Sequence, residues 1–154
     1  MHAEKLDFIE YKFINLINKL PADAVGKWGK MNAQQMLEHV TGFFKVSSGK
    51  LYFPLVTPEE HLPKFKEFLL SDKEFRENTK APASVLGDEP LPLRCHNMEE
   101  AVAGLQKSIA EFIDYFKDDI SKTTLHPVFG ELNFEEWILL HYKHMLHHGK
   151  QFGL

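Results

Sequence analysis

Cysteine occurs once in the 154 residues, as Cys95. No intrachain disulfide can form, which points to a reducing, cytoplasmic setting. No apolar run approaches the roughly 18 residues of a membrane-spanning helix, and the opening MHAEKLDFIE lacks the hydrophobic stretch of a secretory signal. Positive charge is not in excess: 18 Lys and Arg face 22 Asp and Glu, for a net charge of −4. The dispersed cations form no basic stretch interleaved with aromatics, so neither nucleic acid nor a membrane surface is an expected partner. The nine glycines follow no phosphate-cradling pattern, and no internal repeat is visible.

What remains is ordinary globular material, 44% hydrophobic and 26% charged, in a length that suits one domain over residues 1–154. Apolar residues at helical spacing predict a first helix over residues 4–19, stopped by Pro21. Asn32 with Gln35 makes a capping-box pattern for a second helix, whose stripe is Met36, Leu37, Val40, Phe43 and Phe44. Residues 48–96 hold six of the eight prolines and read as a long connection, with a short helix expected to start at Thr57-Pro58-Glu59-Glu60. Its part from Pro82 to Leu93 is dense in turn formers and is expected to lie extended over the helices.

Asn97 with Glu100 opens a third helix expected to end between Lys117 and Ile120. HPVFGEL, from His126 to Leu132, reads as a turn, and Asn133 with Glu136 caps a last helix reaching about Gln151. Four long amphipathic helices predict an all-α four-helix bundle. The long Pro-rich crossover lets the second and third helices run parallel, giving the order up-down-down-up.

Five of the nine histidines fall between positions 126 and 148, four of them in HYKHMLHH. His144 and His148 are four residues apart, one turn along a single helix face, and can reach one ion. His141 and His144 are also possible, whereas His141 and His148 lie about 10 Å apart along the axis. One helix alone leaves most of a coordination sphere open, so a third ligand is expected from a neighbouring helix. His39, beside Met36 and Phe43, is preferred over Glu38 and His126. Any single histidine is better read as a locally hydrogen-bonded residue, but an i, i+4 pair plus a third on another helix favours a metal. His147 and His61 are expected to face solvent. Trp28, Trp137 and the phenylalanines read as core, and the neighbours Cys95 and His96 carry no nucleophile signature.

The segments WGKMNAQQMLEHV, from Trp28 to Val40, and HPVFGELNFEEWILLHYKHMLHHGKQ, from His126 to Gln151, resemble the DinB/YfiT-like superfamily of metalloenzymes. The resemblance implies an up-down-down-up bundle with a divalent ion held by three histidines, matched by His39, His144 and His148. Many relatives continue the last motif with Arg-Gly-Gln, where this chain has Gly149-Lys150-Gln151. The superfamily includes S-transferases and isomerases that use low-molecular-weight thiols, so the resemblance also implies a small-molecule substrate, bacterial origin and a homodimer.

Three neutral imidazoles leave coordination positions open for water or a thiolate, so a metal-dependent transferase or hydrolase is expected, with zinc or nickel as the ion. Glu38, Tyr142 and Gln151 are the polar residues near enough in sequence to orient the ligand rings. The alternative is a noncatalytic bundle that binds a metal or small ligand, or dimerises through a helix face.

Overall fold

A computed structural model describes residues 2–79, 81–82, 85–87 and 89–154. Helix α1 spans residues 3–17, with α-helical ends at Ala3–Asp7 and Phe13–Ile17 and a π-helical turn at Phe8–Lys12 between them. It ends two residues before the expected boundary because Lys19 and Leu20 donate to carbonyls three residues back, tightening the last turn before Pro21. Helix α2 is Ala33–Ser47, and Asn32 and Gln35 form the expected reciprocal capping box. The N–H groups of Ala33 and Gln34, orphaned by the helix start, donate to Ala24 and Ala22 of the preceding loop.

The crossover holds a 3-10 turn at Glu59–His61 and then helix α3, Leu62–Leu70, started by a proline in its first turn. Pro82 and part of the stretch to Leu93 are described, while Ala83, Ser84 and Asp88 lie outside the described residues. Helix α4 is Met98–Phe116, capped by Asn97. Its box is not reciprocal: the Glu100 carboxylate accepts from the His96 N–H instead of that of Asn97.

The expected turn at 126–132 is a β-hairpin. Strand β1, Thr124–His126, pairs antiparallel with β2, Gly130–Leu132, in the register Thr124↔Leu132, Leu125↔Glu131 and His126↔Gly130. The three-residue loop ends at Gly130, whose φ of 83° only glycine adopts cheaply. The protein is therefore mostly helical with a small two-stranded sheet. Helix α5, Phe134–Gln151, follows with the reciprocal box of Asn133 and Glu136.

Contacts between side chains fix the relative directions of the helices. Glu38 meets Cys95 and Phe44 meets Phe112, so α2 and α4 ascend together, as the long connection led one to expect. His2 meets Glu135 and Phe8 meets Tyr142, so α1 and α5 also share a direction. His39 meets His148 while Phe44 meets His141, so α2 and α5 run opposite ways. The core between them is built on Trp137, Phe13, Phe44, Phe112 and Phe116, all fully buried. No helix among the described residues is long and apolar enough to cross a membrane.

Candidate metal centre

The antiparallel crossing of α2 on α5 brings His39 to His144 and His148. Their ligand atoms lie within 4.8 Å of one another, and the Nε2 of His144 is 3.0 Å from that of His39 and 3.0 Å from that of His148. The two 3.0 Å separations are within the span of two imidazole nitrogens each about 2.0–2.1 Å from one ion. A single proton on His144 Nε2 satisfies one of the two contacts and leaves the other as lone pair against lone pair, whereas a cation satisfies all three rings. The donor set therefore fits a borderline divalent ion.

Gln151 sets the tautomer of one ring. Its Nε2 donates to the Trp28 carbonyl at 2.8 Å, which leaves Oε1 facing His148 Nδ1 at 2.7 Å. Oε1 can only accept, so the proton of neutral His148 sits on Nδ1 and the Nε2 lone pair faces His144. Close backbone surrounds Gln151: a Cβ on Gly26 would stand 2.9 Å from its Cγ, and one on Gly29 2.9 Å from its Nε2. Lys27 N–H donates to the Gln151 carbonyl. The other two expected ring partners are engaged elsewhere. Tyr142 packs edge-on against Phe8, and Glu38 accepts from the backbone N–H groups of Arg94 and Cys95 and from Gln34.

Burial keeps all three rings neutral. It holds His39 down to about 4, with the neighbouring His147 adding to the effect. Burial likewise keeps His144 and His148 well below the ordinary imidazole value, reinforced by the other rings of the cluster. Neutral imidazole is the form that binds a metal.

His39, His144 and His148 all border a cavity of about 420 Å³. Its walls come from the loop carrying Trp28, from Phe43 on α2, from the hairpin and from the crossover, including Phe75, Pro82 and Leu86. His141 is not part of the trio. It is fully enclosed, stacks on Phe44 with centroids 3.7 Å apart, and places Nε2 2.9 Å from Ser47 Oγ. His126 lies in the cavity wall, outside the group of three.

His147 departs from its expected place in solvent: it is 7% exposed and packs between Trp28 and Phe75, at 5.4 and 5.9 Å. His61 is exposed, as anticipated. Cys95 stands outside this cavity, in a second, smaller one shared with Thr41 and Ser108.

Comparisons with curated proteins and with solved structures each find no match. A family described as Protein of unknown function (DUF1569), which has the DinB/YfiT-like fold, matches residues 70–153. The matched stretch includes His144, His148 and Gln151 and leaves His39 outside it. Since it spans just over half of the chain, the protein belongs to the DUF1569 family.

Proposed function

We propose that the protein is a divalent-metal-dependent enzyme in which His39, His144 and His148 hold zinc or nickel, and that it transfers a low-molecular-weight thiol or hydrolyses a small molecule. The observation that carries this reading is the convergence of three neutral imidazoles at one wall of a 420 Å³ cavity. In the same reading the chain is a single four-helix bundle over residues 1–154, up-down-down-up, cytoplasmic, bacterial and homodimeric. The shared directions of α1 with α5 and of α2 with α4 support that order.

An ion held by the trio would supply Lewis acidity toward water, a thiol or a carbonyl. The protein's own contribution is positional. Gln151 keeps the proton of His148 on the side away from the trio, and the buried setting of His39 and His144 keeps their nitrogens unprotonated near neutral pH. Trp28, Phe43, Phe75 and Phe129 line the cavity with apolar surface that excludes bulk water from the reacting end. A noncatalytic bundle that binds a metal or small ligand, or dimerises through a helix face, is the alternative, and three rings buried with no cavity beside them would have favoured it. The cavity against the three rings favours the enzyme.

Elemental analysis of untagged protein tests the site. We expect about one zinc or nickel per chain, lost in His39→Ala and His148→Ala proteins that keep their far-UV circular dichroism. Full metal in both folded variants would reject the trio. With metal in place, a panel of thiols and electrophiles tests transfer, and turnover indifferent to a chelator would count against the mechanism.

Gln151→Ala offers a finer check. It frees the His148 ring to change tautomer, and zinc affinity measured by competition with a chromophoric chelator is expected to fall about 10–100-fold. An unchanged affinity would remove Gln151 from the account.

A further inference from the structure

His126 is unused by the trio, yet its two ring nitrogens are unequally engaged. Nδ1 receives the backbone N–H groups of Val128, at 2.9 Å, and Phe129, at 3.2 Å. Two donors aimed at one nitrogen require that it be unprotonated, so the proton of the neutral ring sits on Nε2. Protonating Nδ1 as well would break both bonds to the hairpin loop, so the ring is held as a neutral donor.

No group among the described residues accepts from Nε2–H. Every fully enclosed polar side-chain atom among the described residues does have a partner. Nε2 therefore keeps accessible surface. His126 is only 7% exposed and lines the 420 Å³ cavity, so that surface opens into it. An N–H donor in an apolar wall, satisfied by nothing from the protein, is a place prepared for an acceptor.

The surroundings restrict what carries that acceptor. Phe43 lies nearly parallel to the His126 ring at 5.7 Å, and Phe129 and Trp137 approach it at 5.1 and 5.6 Å. The charged side chains on the described walls are paired: Lys30 with Glu89 at 2.6 Å, and Arg94 with Glu38. An ionised ligand finds no side chain of opposite charge on these described walls that is not already paired, whereas a neutral one needs none.

We infer that the cavity takes a neutral ligand with an apolar, ring-sized body and a carbonyl-type oxygen, and that the Nε2–H of His126 donates to that oxygen. This deepens the reading of the same cavity and rests on the proposed metal centre only for the identity of the reacting end. His126 is in this sense a ligand-positioning residue, and the backbone of the hairpin loop holds its tautomer.

Long-range proton–nitrogen spectra of histidine-labelled protein, recorded in chelator and again after adding zinc, test the inference directly. At about pH 6, where an ordinary histidine is largely charged, His126 should report a neutral ring with the proton on Nε2. Acetophenone should shift that resonance, and α-methylstyrene, which replaces the oxygen by a methylene, should not. In His126→Phe the ratio of acetophenone to α-methylstyrene affinity should fall about 3–10-fold.

A proton on Nδ1, an imidazolium, or equal shifts from both probes would overturn the assignment without needing the variant to fold. Failure of the metal reading would look different: zinc would leave the signals of His39, His144 and His148 unmoved while the His126 results stood.

Discussion

Metal-free protein taken from about pH 7 to about pH 5 is expected to lose its helical circular dichroism cooperatively, because the unfolded chain binds protons that the fold refuses. Burial lowers His126 to about 3 and holds His141 and His148 well below the ordinary value. In the unfolded chain each titrates near 6.5. For groups depressed in the folded state, the stabilisation is complete above the unfolded value and drains away as pH falls toward the folded one. The window for His126 is thus from 6.5 down to about 3.

Each enclosed ring removes about 1.4 kcal/mol per pH unit below its unfolded value. Those three together remove on the order of 6 kcal/mol by about pH 5, before His39 and His144 are counted, which is comparable with the 5–15 kcal/mol of a typical domain. A helical signal unchanged at about pH 4 would mean that these rings are not enclosed as described.

Replacing Phe44 by alanine should cost about 3–5 kcal/mol, measured as a lower urea midpoint at constant slope. Phe44 is fully buried, its face lies 3.7 Å from His141 and its ring meets Phe112 at 5.7 Å, so it touches both helices that pack on α2. The void left behind would adjoin the buried polar chain in which Trp137 donates to Thr124 and Thr124 to the Ser47 carbonyl. Phe44 sits between the His39 end of α2 and the hairpin, so the same change loosens the crossing that brings the trio together. Phe44→Leu, which keeps most of the volume, should cost less than about 1.5 kcal/mol. Equal and small losses in the two variants would show that the helices do not meet there.

The parts of this fold that could be read from the sequence are those governed by local chemistry. Asn32 with Gln35 and Asn133 with Glu136 cap helices because the partners are three residues apart and need nothing from the rest of the chain. The convergence of His39 with His144 and His148 was also legible, since the i, i+4 spacing of the latter two leaves only a third ring to be supplied by packing. The hairpin was hidden by strands of only three residues each around Pro127. The signal available was a three-residue loop closed by Gly130, between Thr124-Leu125-His126 and Gly130-Glu131-Leu132.

His147 was misplaced for a different reason. Periodicity assigns a helix one buried face, but α5 is covered on several: Lys143 reaches the carbonyls of Ser71 and Lys73, and His147 is covered by Phe75 and Trp28. The crossover and the loop before α2 supply that cover, and neither has a periodic signal of its own. The donor role of His126 depends on two backbone N–H groups of the hairpin loop, so it became visible only with the hairpin.

The anchoring of the crossover on Glu38 reaches beyond architecture. By accepting from the N–H of Cys95, this carboxylate brings negative charge beside the chain's single thiol. Burial, together with the charges of Glu38 and Glu100, pushes the thiol up from its ordinary value. Thiolate is the form that oxidants and electrophiles attack. The residue that ties down the crossover thereby disfavours the thiolate, in a cavity separate from the one that His39, His144 and His148 border.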